Sequence, residues 1–202
     1  MKKIPFMDLK KTKTERTAIL KCIDNVLKHG KIILGPEVEL LEKRIAAFCQ
    51  REYAIGVNSG TDALYLGLKS LGIGRNDEVI TTSLSWIATA NAISLAGAKP
   101  VFADINESLN IDINSIERLI TKRTKAVIAV HYAGKIADVE NIKKITKKHK
   151  IYFIEDAAQS FGSRYKNFPS GSFGDIACFS MNPMKVLASC GEAGIILTNN
   201  KN

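Results

Sequence analysis

Between Ile151 and Gly194, acids, an amide and a lysine follow one another in an order that suggests one kind of chemistry. The apolar run Ile151 to Ile154 predicts a buried strand. This strand delivers Glu155, Asp156 and Gln159 just past its C-terminal end, where open parallel sheets bind ligands. We therefore expect a ligand site at this point of the chain.

A carboxylate that emerges from an all-apolar strand needs a partner, because an unpaired buried charge is very costly. A protonated pyridine nitrogen of a bound cofactor would be such a partner. Gln159 could then donate to a hydroxyl oxygen on the ring or cover a ring face. An acidic helix cap or a salt bridge to Arg164 would explain the same pattern without any ligand.

A lysine follows the next buried run of the chain. The residues from Ile176 to Ser180 predict a strand, and Pro183 predicts a turn between this strand and Lys185. The apolar neighbours Met184, Val186 and Leu187 predict surroundings that favour the neutral, nucleophilic form of the lysine, which can form a Schiff base. Most lysines are merely solvated, so the neighbourhood alone does not establish this role.

A strand-to-helix turn from Asn58 to Leu64 predicts an anion site. Gly60 lets the backbone turn tightly, Ser59 and Thr61 offer hydroxyl groups, and the first amides of a helix have no partner within it. Phosphate is the anion that this arrangement favours. A plain helix cap is the alternative, since serine and threonine are preferred caps.

The single tryptophan, Trp86, ends the sequence Ser83-Leu84-Ser85-Trp86 after another predicted strand. At the ligand edge of a sheet it could stack on a planar ring. The alternative is a core aromatic that closes the helix below it.

Hydrophobic periodicity predicts an α/β fold. Two helices, Thr14 to His29 and from Pro36 to Phe48, precede a regular alternation of strands and helices. The later predicted helices are Asp62 to Leu71, Ile87 to Leu95, Ser115 to Ile120 and Val139 to His149. The predicted strands are Tyr53 to Val57, Glu78 to Thr82, Pro100 to Ala103, Ala126 to Val130, Ile151 to Ile154, Ile176 to Phe179 and Gly194 to Thr198. This alternation predicts a mostly parallel seven-stranded sheet with helices on both faces.

Length and composition restrict the classes of protein. The 202 residues suffice for one well-buried domain, which we divide into an N-terminal helical segment, residues 1–50, and a large domain, residues 51–202, that together form one compact unit. No apolar run reaches membrane-spanning length and no secretory signal is visible, so we expect a cytoplasmic protein without a membrane partner.

Neither the charge nor the cysteines indicate a specialised partner. The net charge of +9 comes from dispersed lysines, and the cluster between Lys143 and Lys150 reads as a solvated helix face, so we expect no nucleic-acid partner. This cluster could instead attract anionic substrates. The four cysteines show no pairing or metal spacing and are expected to be reduced thiols, mostly buried, with no metal site. They are Cys22, Cys49, Cys178 and Cys190.

Together these motifs resemble the DegT/DnrJ/EryC1/StrS family of pyridoxal phosphate (PLP) enzymes, the sugar aminotransferases of the aspartate aminotransferase fold type. The resemblance covers almost the whole chain. It runs through Ile4-Pro5-Phe6, Gly35-Pro36, Asn58-Ser59-Gly60-Thr61, Glu155-Asp156-Ala157-Ala158-Gln159 and Lys185. Several ordered motifs make the match highly specific.

The resemblance implies a role for each matching residue. Lys185 matches the lysine that holds PLP covalently and then shuttles the proton, Asp156 the partner of the pyridine nitrogen, and Gln159 its neighbour on the ring. Gly60, Thr61 and Ser180 match the phosphate cradle, and Trp86 matches the aromatic that stacks on the ring. Ser59, in the same turn as Gly60, is also expected to bind the cofactor. We therefore expect Lys185 and Asp156 to be catalytic, and all eight residues to bind the cofactor.

The implied reaction moves an amino group from L-glutamate to a nucleotide-linked keto-sugar, in the synthesis of cell-surface polysaccharides or other glycans. In it the cofactor carries the chemistry and the protein sets its charge and geometry. The resemblance also implies a homodimer, because in this family the active site lies between two subunits.

The chain departs from the family pattern in three ways. Asn182 stands where many members carry a histidine, and Gly191-Glu192-Ala193-Gly194 replaces a Gly-Glu-Gly-Gly sequence. Members also continue into a small C-terminal domain that helps to close the active site. We expect this domain to be missing here, and little transaminase activity from the 202 residues alone.

Two other functions are compatible with these motifs. One is a truncated, inactive protein of this fold or a regulatory binding protein that keeps the cofactor site without turnover. The other is a PLP-dependent deoxysugar dehydratase. The dehydratases replace the lysine by histidine or add an iron-sulfur cluster, and Lys185 and the unclustered cysteines disfavour both.

Overall fold

A computed structural model of the chain describes Ile4 and residues 8–201. Pro5 and Phe6, with which the resemblance to the family begins, lie outside the described residues. The chain divides into two compact units, Met1–Leu41 and Glu42–Asn202. The division predicted after residue 50 stays a prediction.

The first unit contains α1 (Lys13–His29) and the first turns of α2 (Pro36–Phe48). Helix α1 begins with a capping box, in which Thr12 accepts from the Glu15 amide and the Glu15 carboxylate accepts from the Thr12 amide. It ends at Gly30, whose φ of 70° suits glycine. The helix predicted from Thr14 to His29 is confirmed to within one residue.

The second unit alternates strands and helices as predicted. Its strands are β1 (Tyr53–Val57), β2 (Glu78–Thr82), β3 (Lys99–Ala103), β4 (Thr124–Val130), β5 (Tyr152–Asp156), β6 (Arg164–Tyr165), β7 (Phe168–Pro169), β8 (Ile176–Ser180) and β9 (Gly194–Thr198). Its further helices are α3 (Gly60–Ser70), α4 (Ala88–Leu95), α5 (Ile113–Leu119) and α6 (Val139–His149). A short 3-10 turn lies at Tyr132–Gly134.

The main sheet has seven strands within the described residues, in the order β1-β9-β8-β5-β4-β2-β3. All neighbouring pairs are parallel except those of β9, which runs antiparallel to both β1 and β8. Six strands therefore share one direction, and the predicted, mostly parallel seven-stranded sheet is confirmed. Because β9 runs backwards, its first residue lies at the same edge of the sheet as the last residues of β1 and β8.

Two apolar layers cover the two faces of the sheet. One packs side chains of α3 and α4 against the sheet, including Leu68, Ile93 and Ile154. The other packs side chains of α5 and α6 against the opposite face, including Ile116 and Phe153. Consecutive residues of β5 thus enter opposite layers, as the pleat of a strand requires.

Two local features differ from the prediction. Strand β5 runs to Asp156, so both carboxylates lie inside the strand and not beyond its end. The segment between β5 and β8 also contains the hairpin of β6 and β7, which was not predicted. Both strands of this hairpin are two residues long, too short for the period-2 pattern by which strands are found.

Candidate functional site

All eight predicted site residues line one cleft of about 360 Å³ at the carboxyl edge of the sheet. The strands and turns that end there bring together Ser59, Gly60, Thr61, Trp86, Asp156, Gln159, Ser180 and Lys185. The lining also includes Thr89, Asn182 and Glu192. Residues separated by more than a hundred positions in the sequence therefore share one concave surface.

A larger hollow of about 990 Å³ lies elsewhere, beside Tyr152 and Ile176 at the amino ends of β5 and β8. It is lined by none of the eight predicted residues. Because ligands of open α/β sheets bind at the carboxyl ends of the strands, the smaller cleft is the better candidate site.

Asp156 is buried, with 4% of its surface exposed, and it belongs to the lining of the cleft. Its Oδ2 accepts from the Thr89 hydroxyl at 2.7 Å and its Oδ1 from the Ala158 amide at 3.2 Å. Burial raises the pKa of Asp156, and these two hydrogen bonds and the nearby Lys185 counteract the rise only in part. A cation in the cleft would therefore be a favourable partner for this carboxylate.

Glu155 is fully buried and belongs to a different environment. Its two carboxylate oxygens accept from the backbone amides of Gly171, Phe173 and Gly174 at 2.9, 2.7 and 2.7 Å. Burial raises the pKa of Glu155, but the hydrogen bond from His131 and those from the backbone outweigh burial, so the net pKa is lowered. Glu155 is therefore held as a carboxylate by the protein itself.

Two side chains complete the surroundings of Glu155. His131 Nδ1 accepts from the Ala137 amide at 3.2 Å, so the ring proton is on Nε2, which donates to Glu155 at 2.9 Å. Arg51 lies 3.6 Å from Glu155 and donates to the carbonyl oxygens of Gly171 and Gly174. The alternative of a salt bridge to Arg164 is wrong, because Arg164 is exposed and donates to the carbonyl oxygen of Asn167.

The first turn of α3 meets the end of β8. Ser59 caps the helix by accepting from the Asp62 amide at 3.0 Å, so the cap interpretation holds for its hydroxyl oxygen. The amides of Gly60 and Thr61 have no partner within the helix and remain available to an anion. A Cβ atom on Gly60 would lie 2.6 Å from the Ser180 Cβ, so only glycine lets the two segments approach.

Lys185 is carried by a turn that Asn182 stabilises. Its amide donates to the Asn182 carbonyl oxygen at 2.8 Å, and the Asn182 side chain accepts from the Met184 amide at 3.0 Å. The Asn182 side chain also donates to Glu192. The predicted apolar surroundings are wrong, because Met184 and Val186 are 56% and 78% exposed and Lys185 itself is half-buried.

Trp86 is 71% exposed and contributes to the wall of the cleft, so the alternative of a core aromatic is wrong. Gln159 is half-buried, and its Oε1 accepts from the Ala133 amide at 2.9 Å. Both side chains are placed to contact a flat ligand in the cleft.

Sequence reasoning missed two contributors to the cleft. Thr89 is buried in α4 and donates to Asp156, although 67 residues separate the two. Gly194 begins β9, and a Cβ atom there would lie 2.2 Å from the Ser59 carbonyl oxygen. A threonine in a helical pattern carries no distinctive signal, and Gly194 is visible in the sequence only as the start of a predicted strand and as part of a sequence variant.

Other classes of site find no support in the part of the chain that the structure describes. In residues 8–201 no three histidine, cysteine, aspartate or glutamate side chains are grouped to hold a metal ion. Among the described helices, none is both long and apolar enough to cross a membrane. Of the four free cysteines, Cys49 and Cys178 are buried while Cys22 and Cys190 are exposed, so the expectation of mostly buried thiols holds for only two.

The fold and the cleft define a protein of the α/β class with a candidate ligand site at the carboxyl edge of a mostly parallel sheet. Residues 13–202 match the model of the DegT/DnrJ/EryC1/StrS aminotransferase family. The chain therefore belongs to this family.

Two curated relatives and one solved structure illustrate the match. A Pseudomonas aeruginosa UDP-2-acetamido-2-deoxy-3-oxo-D-glucuronate aminotransferase is 45% identical over 97% of this chain and 55% of its own length. A Geobacillus stearothermophilus pleiotropic regulatory protein is 41% identical over 97% of this chain and 53% of its own. The structure of NtdA from Bacillus subtilis with bound cofactor PMP has a TM-score of 0.94 and 37% identity, covering 100% of this chain and 46% of NtdA. The chain thus spans about half the length of the curated relatives that it matches.

Proposed function

We propose that this chain is the cofactor-binding part of a PLP-dependent aminotransferase that moves an amino group from L-glutamate to a nucleotide-linked keto-sugar. One observation carries the proposal. A buried carboxylate, a lysine, an exposed tryptophan and a helix N-terminus with free amides converge on one cleft. Membership in an aminotransferase family and the aminotransferase relative that acts on a UDP-linked sugar support it.

The residues of the cleft fit PLP at both of its charged ends. Asp156 has a pKa raised by burial and lacks a directly bonded cation among the described residues, so a protonated pyridine nitrogen suits it. At the other end, the close approach of Gly60 to Ser180 forms a cradle that a Cβ atom would fill. The amides of the α3 N-terminus and the Ser180 hydroxyl can hold a phosphate there.

Bound PLP supplies a ring that withdraws electrons from the carbon next to the transferred nitrogen. The protein's part is binding, charge and proton transfer. Asp156 would keep a proton on the ring nitrogen, and the Thr89 hydroxyl, which donates to Asp156, orients this carboxylate. Lys185 would hold the cofactor and carry a proton at Nζ, and Trp86 would cover a ring face, so that the reacting atoms would keep one geometry.

We also propose an amino donor, an oligomeric state and a cellular location. L-glutamate as amino donor, a homodimer and a cytoplasmic location come from the resemblance and the composition. So does the division into a helical segment, residues 1–50, and a cofactor-binding large domain, residues 51–202. The proposal includes no nucleic-acid or membrane partner.

Reductive trapping tests the attachment site. The chain is mixed with PLP, reduced with borohydride and digested, and the modified peptide is identified by mass spectrometry. We expect the label on Lys185 and its loss in Lys185→Ala, while Lys122→Ala, a variant at an exposed position outside the cleft lining, keeps it. A label on another lysine, or a Lys185→Ala chain that is still modified, would contradict the assignment.

The regulatory relative raises a second function, in which the cleft holds the cofactor without turnover. Both functions predict trapping at Lys185, so a second assay separates them. Glutamate added to the PLP-loaded protein converts the cofactor to its amino form in an aminotransferase and shifts the absorbance spectrum. An unchanged spectrum would favour the regulatory function.

A further inference from the structure

The orientation of the Gln159 side chain is set by one backbone amide. The Ala133 N–H donates to Gln159 Oε1 at 2.9 Å. Since the amide oxygen is engaged there, the NH2 group is the end of Gln159 that remains for the cleft. Gln159 therefore presents a hydrogen-bond donor to a ligand.

Ala133 adopts a backbone conformation that an alanine rarely takes. Its φ of 50° and ψ of 29° lie in the left-handed region, and the next residue, Gly134, has a φ of 83°. A side chain with a Cβ atom stays in this region only where its surroundings hold it, and such residues concentrate at functional sites. The question is which group holds Ala133.

Asn110 brackets Ala133 from both sides. This side chain is 2% exposed, its Oδ1 accepts from the Tyr132 amide at 3.1 Å, and its Nδ2 donates to the Lys135 carbonyl oxygen at 3.0 Å. The loop of residues 131–135 is thus bound by the buried side-chain amide of Asn110 at two points. One is Tyr132, just before Ala133, and the other is Lys135, two residues after it. Neither Asn110 nor Ala133 contributes to the lining of the cleft.

A second contact holds the same loop from the β5–β8 segment, where the Ser163 hydroxyl donates to the Gly134 carbonyl oxygen at 2.7 Å. That contact involves only one side of Ala133. The backbone spans Ala133 as well, since the Lys135 amide donates to the Tyr132 carbonyl oxygen at 2.9 Å. Asn110 is the side chain that binds the chain on both sides of the left-handed residue.

We infer that Asn110 is a positioning residue for the cofactor site: it locks the 131–135 loop, so that Ala133 binds the Gln159 oxygen and the Gln159 NH2 group faces the cleft. The statement about the cofactor rests on the proposed function. The statement about the loop and Gln159 stands without it.

Amide hydrogen exchange followed by NMR tests the loop in the absence of any ligand. In the unaltered chain, the N–H groups of Tyr132 and Ala133 should both exchange slowly, since Asn110 and Gln159 accept from them. Gln159→Leu should lower the protection of Ala133 alone, and Asn110→Leu should lower that of both, by roughly tenfold, as for the loss of one hydrogen bond. Ser115→Ala removes a different buried polar contact, to the Asp104 amide, and should change neither.

The hydrogen-exchange results decide the role of Asn110 without any measurement of activity. Rapid exchange at Tyr132 or Ala133 in the unaltered chain would overturn it, and this result requires no variant to fold. Protection of Ala133 that survives Asn110→Leu would overturn it too. If Asn110→Leu does not fold, Asn110→Ala, which introduces no new bulk, serves in its place.

Absorbance of bound PLP, titrated against pH, tests the effect on the cofactor. Loss of the Gln159 donor should move the pH midpoint of the absorbance change, and Asn110→Leu should move it in the same direction as Gln159→Leu. The double variant should match the single Gln159→Leu, because both changes remove the same contact between Ala133 and Gln159. If Asn110 had only a structural role, Asn110→Leu would lower the free energy of unfolding and leave the pH midpoint of the absorbance change in place. That result would overturn the inference. If the unaltered chain binds no PLP, the proposed function fails, while the exchange experiment still decides the role of Asn110.

Discussion

Glu155 and Asp156 are consecutive carboxylates on β5, and the pleat of the strand sends them to opposite faces of the sheet. Glu155 is surrounded by three backbone amides, His131 and Arg51, and its pKa is lowered. Asp156 has two hydrogen-bond donors, faces the cleft, and has a raised pKa. One carboxylate has its partners in the protein, whereas the other is left in need of a partner from outside.

This difference separates a structural carboxylate, Glu155, from Asp156, the one that we propose to be functional. Glu155 joins the end of β5 to the loop of Gly171–Gly174 that leads into β8, and through Arg51 to the residues just before β1. It thereby fixes the strands whose carboxyl ends carry the cleft. Asp156 is less completely hydrogen-bonded, and its burial costs stability. Such a carboxylate with a shifted pKa is typical of functional sites.

The largest effect is expected on removing the charge of Glu155. Glu155→Gln keeps the shape of the side chain but places an NH2 group against backbone N–H donors, and it leaves the buried Arg51 without its counter-charge. We expect a loss of about 3–5 kcal/mol in the free energy of unfolding, as for other broken buried pairs. Urea denaturation measures it.

The control is Glu140→Gln, which breaks the exposed ion pair with Lys166 and should leave the urea midpoint nearly unchanged. Equal midpoints for Glu155→Gln and Glu140→Gln would mean that Glu155 is not the structural carboxylate of the pair.

Asp156→Asn should affect activity and leave stability nearly unchanged, in contrast to Glu155→Gln. The substitution removes a buried charge whose ionised form burial disfavours, so stability should be retained or slightly increased. PLP binding should largely survive, while amino transfer should fall by roughly a hundredfold or more, because the ring nitrogen would lose its ionic partner. Turnover with glutamate and a nucleotide keto-sugar measures it, and an unchanged rate would remove Asp156 from the mechanism.

The two carboxylates should also give the stability of the chain opposite dependences on pH. Glu155 has a lowered folded pKa, so its contribution is present above the ordinary glutamate value of 4.5 and is lost as the pH falls towards the folded pKa. Asp156 has a raised folded pKa, so its cost is absent below the ordinary aspartate value of 3.8 and grows as the pH rises to the folded pKa.

Urea midpoints measured against pH should therefore show that Asp156→Asn removes a decline of stability with rising pH. Glu155→Gln should remove an increase of stability with rising pH. Slopes of the same sign for the two variants would refute the contrast between them.

The smallest expected effect concerns Thr89, one of the two donors to Asp156. Thr89→Val removes the 2.7 Å hydrogen bond to Oδ2 and should destabilise the chain by about 1 kcal/mol, as for the loss of one hydrogen bond. Thr89→Ser keeps the hydroxyl and should behave like the unaltered chain. In an Asp156→Asn background Thr89→Val should lose most of its effect, and a full effect there would show that Thr89 acts through other contacts.

The sequence predicted most of the fold because hydrophobic periodicity is local. The strands β1, β2 and β9 and the helix α6 begin and end where the pattern placed them. The pattern could not give the position of β9 between β1 and β8, because antiparallel pairing to both neighbours depends on the path of the chain beyond any local window.

The identities of the candidate residues were likewise visible in the sequence. An acid after an apolar strand, a lysine after the next one and a Ser-Gly-Thr turn before a helix each carry a chemical signal by themselves. Their convergence on one cleft follows from the shared direction of β1, β2, β5 and β8, which puts the residues after each strand at one edge of the sheet.

What only the tertiary structure decided is the environment of each group. Arg51 and His131, and not Arg164, became the partners of Glu155, and Thr89 became the donor to Asp156. A side chain's burial and hydrogen bonds are set by segments that lie far away in the sequence, and the pKa of a carboxylate depends on those contacts. The sequence by itself therefore determined which residue types reach the sheet edge, while the packing of distant segments determined which of two adjacent acids is satisfied and which is left for a ligand.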